Sequence, residues 1–251
     1  MARDTEPHST NDAGSAHLPA PVAELTGVRK SYRLGDVEVP VILGVDLLIR
    51  PGHFTVLLGP SGSGKTTLLN LIGCIDRPDD GEVAVAGHAV GAMSDDAISD
   101  FRARNIGFIF QNFNLLPVLS AYENIEYPLV LAGSSARVRG ERVPKLLEAV
   151  GLGDKGKHLP GQLSGGQRQR VAIARALAMK PKLVIADEPT ANLDSKTGAA
   201  ILSLMRQMQR RYNISFLFSS HDRAVFKAAD DAIFIRDGAI QAVRRKREEI
   251  R

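Results

Sequence analysis

The segment Phe54–Thr66 constrains this chain more than any other. Phe54, Thr55, Val56, Leu57 and Leu58 run without a charged residue and stop at Gly59. A run of strand length with no polar alternation reads as a strand buried on both faces. Gly59-Pro60-Ser61-Gly62-Ser63-Gly64-Lys65-Thr66 follows, and it fits GxxxxGK[ST], the phosphate-binding loop. Glycines there let backbone N–H groups turn inward with no Cβ in the way. A helix is expected from about Gly64, with Gly73 as its C-terminal cap, and its positive end points at the same phosphates. Lys65 brings a charge to the β- and γ-phosphates, and Thr66, followed by Thr67, offers a hydroxyl to Mg²⁺.

The remaining pattern extends this unit to an α/β fold. Short β-type runs between Val22 and Ile49 carry turn signals at Leu34-Gly35-Asp36 and Leu43-Gly44, which predicts a small antiparallel sheet. Further strands are expected at 81–86, 106–110, 183–186, 214–219 and 232–236, and Asp237-Gly238 predicts a hairpin turn into 239–243. Ser94 is placed to cap a helix reaching Arg104, and Ser120-Ala-Tyr-Glu123 matches a capping box. Strands alternating with helices give a mainly parallel sheet covered by helices. The helical stretch from about 112 to 180 interrupts that alternation and reads as an inserted subdomain. Residues 1 to about 20 read as a disordered polar leader, 21–243 as one domain, and 244–251 as a basic tail.

Two further motifs carry chemistry. Leu183-Val184-Ile185-Ala186-Asp187-Glu188 places two carboxylates at the C-terminal end of a buried strand, the edge where α/β sheets bind ligands. Asp187 is expected in the Mg²⁺ shell, and Glu188 is placed to orient or deprotonate an attacking water. Leu163-Ser164-Gly165-Gly166-Gln167 supplies a second glycine-rich helix start, about a hundred residues after the first. A loop that binds one nucleotide alone would not need it.

Here the chain resembles the ABC ATPase family, whose signature is LSGGQ. The resemblance covers about residues 22 to 243 and implies a P-loop NTPase core with an antiparallel β subdomain and an inserted helical subdomain. It implies that Tyr32 stacks on adenine, that Gln111 contacts Mg²⁺ and reports to a membrane partner, and that His221 stands near the γ-phosphate. Ala191-Asn192-Leu193-Asp194 resembles the family's D-loop. The family works as a head-to-tail pair of cassettes. ATP and Mg²⁺ are therefore the expected ligands, with a second copy of the chain and an integral membrane permease as partners. Each ATP would lie between the phosphate loop of one copy and Ser164, Gly165, Gly166 and Gln167 of the other, with Asp194 close by.

Stretches such as Gly73–Pro78, Phe108–Pro117 and Glu123-Asn124-Ile125 resemble the branch of lipoprotein-release and macrolide-export ATPases. That branch implies export or extraction of a lipoprotein, macrolide or peptide at the cytoplasmic face of the membrane. The alternative is a related ATPase that regulates cell-wall hydrolases without moving cargo. The sequence departs from the branch at Arg168, where glutamine is common, and at Ser219-Ser220, where threonine commonly precedes the histidine. Phe113, Leu115, Leu116, Tyr122 and Glu123 are the expected contacts with the membrane partner.

Composition bounds the rest. No stretch approaches the roughly 20 apolar residues of a membrane span, so other subunits are expected to supply those. The net charge of +4 is spread along the chain, and nucleic acid is not an expected partner. A soluble ABC ATPase acting on nucleic acid would carry tandem cassettes, a coiled coil or zinc-binding cysteines, and the one cysteine, Cys74, sits in an apolar run. His53, His88 and His158 lie in turn-like contexts and are given no role.

Overall fold

The computed structural model describes residues 20–221 and 223–246. The expected leader up to Pro19, and the tail from Arg247 onward, lie outside the described residues.

A six-stranded sheet forms the centre. Its order is β10 (Ala239–Arg245), β9 (Asp231–Arg236), β3 (Phe54–Leu58), β8 (Ser215–Ser220), β7 (Leu183–Ala186) and β6 (Ile106–Ile109). All neighbours are parallel except the β9–β10 hairpin. Every residue of β3 and β7 is buried, as a continuous apolar run requires when helices cover both faces. Alternation still operates within the run. Phe54, Val56 and Leu58 enter one core with Phe216 and Phe218, while Leu57 enters the other with Leu183, Ile185 and Leu217.

The first core is closed by α3 (Ala121–Leu131), α4 (Ala136–Ala149), α5 (Gly165–Ala176) and α6 (Ser195–Tyr212). The second is closed by α1 (Lys65–Ile72), α2 (Asp95–Asn105) and a four-stranded antiparallel sheet. That sheet runs β2 (Val37–Ile49), β1 (Ala23–Leu34), β4 (Asp80–Val85) and β5 (His88–Ala89). Leu34-Gly35-Asp36 makes the expected turn. Leu43-Gly44 does not: Val28 pairs with Val45 and Arg29 with Leu43, so Gly44 is a bulge inside one long strand, at φ 83°. A glycine that accepts positive φ serves a bulge as well as a turn. β10 extends two residues past the expected Val243, so Arg244 and Arg245 belong to the sheet. α6 is not among the expected elements, although its buried Gly198, Ile201, Leu204, Met205 and Met208 follow a helical period.

The two sheets meet at the phosphate loop. The Leu43 N–H donates to Gly238 O at 3.0 Å, and a Cβ at Gly238 would come within 2.4 Å of Val41 O. A Cβ at Gly64 would meet Ile42 Cδ1 at 2.9 Å. Glycine at both positions lets the hairpin and α1 close onto β2.

Asp230 ties α6 to the central sheet. Its carboxylate accepts both terminal nitrogens of Arg206 from α6 and the Phe54 N–H from β3. Burial pushes its pKa up, but the Arg206 and Phe54 hydrogen bonds and the Arg206 charge outweigh it, and the pKa is lowered. A depressed folded-state pKa contributes stability that is full above the ordinary aspartate value of about 3.9 and is lost as pH falls through the folded value. Asp230→Asn is therefore expected to cost about 2 kcal/mol at neutral pH. Below about pH 4 the melting temperatures of variant and wild type converge, and a constant gap down to about pH 3 would contradict the linkage.

Candidate functional site

Four parallel strands deliver their C-terminal ends side by side. β3 leads into the phosphate loop, β8 into His221, β7 into Asp187 and Glu188, and β6 into Gln111. Register fixes their level: Leu58 pairs with Ser220, and Ala186 with both Phe218 and Ile109. Motifs more than a hundred residues apart in sequence thus share one edge because the strands that carry them lie parallel in a single sheet.

The phosphate loop has the features of an anion cradle. Among the described residues, α1 is the one α-helix without a side-chain N-cap; Ser94, Ser120, Ser135, Ser164 and Asp194 cap the other five. Its first turn also holds no acidic residue. The first N–H groups of a helix need a partner from outside, and here no side chain supplies one. Gly62 takes φ 77°, a backbone conformation that favours glycine, and a Cβ there would meet nothing within 4 Å. Ser63 Oγ is buried without a protein partner. The Lys65 ammonium donates to Gly59 O and Pro60 O, each at 2.9 Å, which holds it along the loop with a third proton to give. These residues fit a polyphosphate.

The carboxylates are held by hydroxyls. Thr66 Oγ1 donates to Asp187 Oδ2 at 2.9 Å, and Ser219 Oγ donates to Asp187 Oδ1 at 2.5 Å. Glu188 stands at φ 44°, unusual for a non-glycine residue, and its N–H donates to Ser219 Oγ at 2.9 Å. Its Oε1 lies 3.2 Å from His221 Nδ1. Glu188, Thr190, Ala191, Ser220 and His221 enclose a pocket of 160 Å³, room for a few waters. One or two carboxylates with a hydroxyl beside a polyphosphate suit Mg²⁺, which takes its remaining ligands from phosphates and water.

Tyr32 lies on β1 beside this loop. Its hydroxyl donates to Asp76 Oδ2 at 2.8 Å, and Lys30 pairs with Asp76 at 3.1 Å while standing 5.4 Å from the ring centroid. Burial, then the Asp76 carboxylate, raises the phenol's pKa. The ring is fixed at its polar end yet stays 38% exposed, a geometry suited to stacking.

The second glycine motif stands apart. Ser164 Oγ accepts from the Gln167 N–H and Gln167 Oε1 accepts from the Ser164 N–H, a reciprocal cap on α5. The glycines also pack: a Cβ at Gly166 would come 2.7 Å from Thr197 Cγ2, and one at Gly165 3.4 Å from Leu193 Cδ2. Asp194 caps α6 through the Thr197 N–H, and its bonds to Thr197 lower its pKa. Among the described residues, no hydrogen bond links 164–167 to the phosphate loop or to Asp187 and Glu188. Gln111 is tied through its carbonyl, which accepts from Asn192 Nδ2 at 3.1 Å.

The family model for ABC transporters matches residues 42–191. The chain belongs to the ABC transporter ATP-binding family. It is 50% identical over 226 residues to the lipoprotein-releasing system ATP-binding protein LolD of Anaeromyxobacter dehalogenans, covering 90% of this chain and 95% of that protein. It is 48% identical to the macrolide export ATP-binding/permease protein MacB of Rhodopirellula baltica over 86% of this chain but only 32% of that longer protein. A solved ATP-binding cassette, a dimer in a post-hydrolysis state bound to ADP and Pi, superposes with a TM-score of 0.82 at 39% identity over 90% of this chain and 99% of its own. The lipoprotein-release and macrolide-export branch expected from the sequence is therefore found among the relatives.

Several contacts of this ABC cassette join residues that no single motif pairs. Ser219 joins Asp187 to Glu188, Asp76 anchors Tyr32, and Asn192 links the loops after β6 and β7. Arg175 of α5 donates to the carbonyls of Phe113 and Asn114, which stand at φ 63° and 46°, while Arg168 lies 5.4 Å from the Phe113 ring centroid.

Proposed function

We propose that this chain hydrolyses ATP in a head-to-tail pair with a second copy of itself and so drives a membrane permease in export or extraction. One observation carries the paired site: the glycine-rich start of α5 at Ser164–Gln167 has no bond to the phosphate loop of its own chain, its polar groups being turned to each other in the cap. A second copy can bring that end to the exposed side of a nucleotide held by the first.

In this reading Gly59–Thr67 hold the phosphates and Tyr32 supports the adenine. Thr66, Asp187 and Gln111 hold Mg²⁺, which neutralises phosphate charge when bound. Glu188 accepts a proton from the attacking water, and His221 holds the glutamate through the 3.2 Å contact and faces the γ-phosphate. Asp194 sets the start of α6 beside the paired interface. Departure of the cleaved phosphate removes the ligand that joins the copies, so its release after hydrolysis frees the pair.

Export or extraction is supported by relatives named for lipoprotein release and macrolide export. No helix among the described residues is long and apolar enough to cross a membrane, and in this reading the chain sits at the cytoplasmic face through its permease. A groove of 580 Å³ between α2, β6, α3 and α5, lined in part by Phe108, Phe110, Asn114, Tyr127, Leu131 and Met179, is the better permease contact. Of the residues expected there, Leu115 and Tyr122 pack against the core, Glu123 is engaged in the Ser120 capping box, and Phe113 lies under Arg168. Leu116 keeps an exposed side chain.

Mixing tests the paired site. At ATP no higher than the wild-type KM, Lys65→Ala and Ser164→Arg chains are each expected to be nearly inactive, and a one-to-one mixture to recover about a quarter of wild-type ATPase rate. Random pairing makes half the dimers mixed, each with one intact site of two. A mixture no more active than its parts would show that each site is built within one chain.

A further inference from the structure

Ser219 occupies a crossing that none of the motifs names. It lies on β8, between β3 and β7, and is wholly buried. Phe216, Leu217 and Phe218, which precede it on the strand, are apolar and buried, and packing alone would allow another apolar residue here. A buried hydroxyl is costly unless it is bonded, and this one is bonded twice. It donates to Asp187 Oδ1 at 2.5 Å and accepts from the Glu188 N–H at 2.9 Å.

A hydroxyl has one proton and two lone pairs, so both bonds coexist. Thr66 takes the other Asp187 oxygen. With both oxygens held, the carboxylate cannot turn about its χ2 without breaking a bond. Glu188 meanwhile stands at φ 44° with its N–H directed to Ser219. A non-glycine residue keeps that conformation only where its surroundings hold it there. One side chain thus orients the carboxylate on the metal side and the backbone that carries the base.

We propose that Ser219 is a positioning residue for ATP hydrolysis, acting through Asp187 and Glu188. This rests on the roles given to those two residues above.

Ser219→Ala removes the hydroxyl at almost constant volume. Its kcat is expected to fall about 10- to 100-fold, the usual cost of losing a group that orients a metal ligand. KM for ATP stays within about twofold, because the phosphate loop is untouched. Mn²⁺ binding in the presence of ADP, followed by electron paramagnetic resonance, weakens by a similar factor without any turnover being required. Ser219→Thr keeps the hydroxyl and recovers both signals relative to alanine. A purely structural role predicts instead a lower melting temperature with kcat and Mn²⁺ binding unchanged per folded molecule. Unchanged kcat and Mn²⁺ binding in Ser219→Ala, or a threonine variant as impaired as alanine, would overturn the proposal. Glu188→Gln assayed in parallel separates the two levels: if it turns over normally the underlying assignment is wrong, and if it is dead while Ser219→Ala is normal only the positioning role is lost.

Discussion

Glu188→Gln is expected to bind ATP as tightly as the wild type and to lose about 10²- to 10⁴-fold in kcat, the range that a positioned general base contributes. Glutamine keeps the length and the hydrogen-bonding oxygen of the side chain but cannot take a proton. The backbone at φ 44° and its bond to Ser219 do not involve the side chain, so the surrounding geometry should persist. A neutral amide beside the γ-phosphate also disfavours binding less than the carboxylate does. Binding without turnover leaves ATP between two copies. The variant should therefore accumulate as an ATP-dependent dimer, readable as a doubled mass by sedimentation with ATP and a single mass without it. Near-normal hydrolysis would remove Glu188 from the role of base. Normal binding with no turnover and no dimer would leave the base in place and refute the pairing.

The phosphate loop is legible in the sequence because its chemistry forces residue types at fixed spacing within one strand–loop–helix unit. Asp187-Glu188 is legible for a related reason: two acids that end a buried apolar run stand at the sheet edge where ligands bind. Partners that meet across the fold are not legible. Ser219 reads as one polar residue in a strand until β8 is seen between β3 and β7. Asp76 stands 44 residues from Tyr32, and only the return of β4 alongside β1 fixes the segment that leads into it. Asn192 reaches back 81 residues to the Gln111 carbonyl. Leu43-Gly44 misleads differently: a bulge and a turn make the same demand on backbone angles, and only pairing with β1 tells them apart. Among the residues expected after Gln111 as partner contacts, Leu115 and Tyr122 pack against the core and Phe113 lies beside Arg168, roles that only the folded chain reveals.

Lys65→Ala should fail at the opposite step. The Lys65 side chain is almost fully buried, and its ammonium is shared between Gly59 O and Pro60 O at 2.9 Å. The loop thereby places a cation among its own backbone N–H groups. A charge-assisted bond to phosphate contributes about 1.5–3 kcal/mol. Its removal should weaken ATP binding about 10- to 100-fold, measured by titration with a fluorescent nucleotide. Lys65→Arg should not restore it, because a planar guanidinium cannot follow the path of a compact ammonium between two carbonyls. Hydrolysis falls with it, but raising ATP recovers part of the rate in Lys65→Ala and none in Glu188→Gln. Unchanged affinity in Lys65→Ala would contradict the phosphate-loop assignment. If both variants lost binding alike, the separation between a loop that binds and a strand end that reacts would itself be wrong.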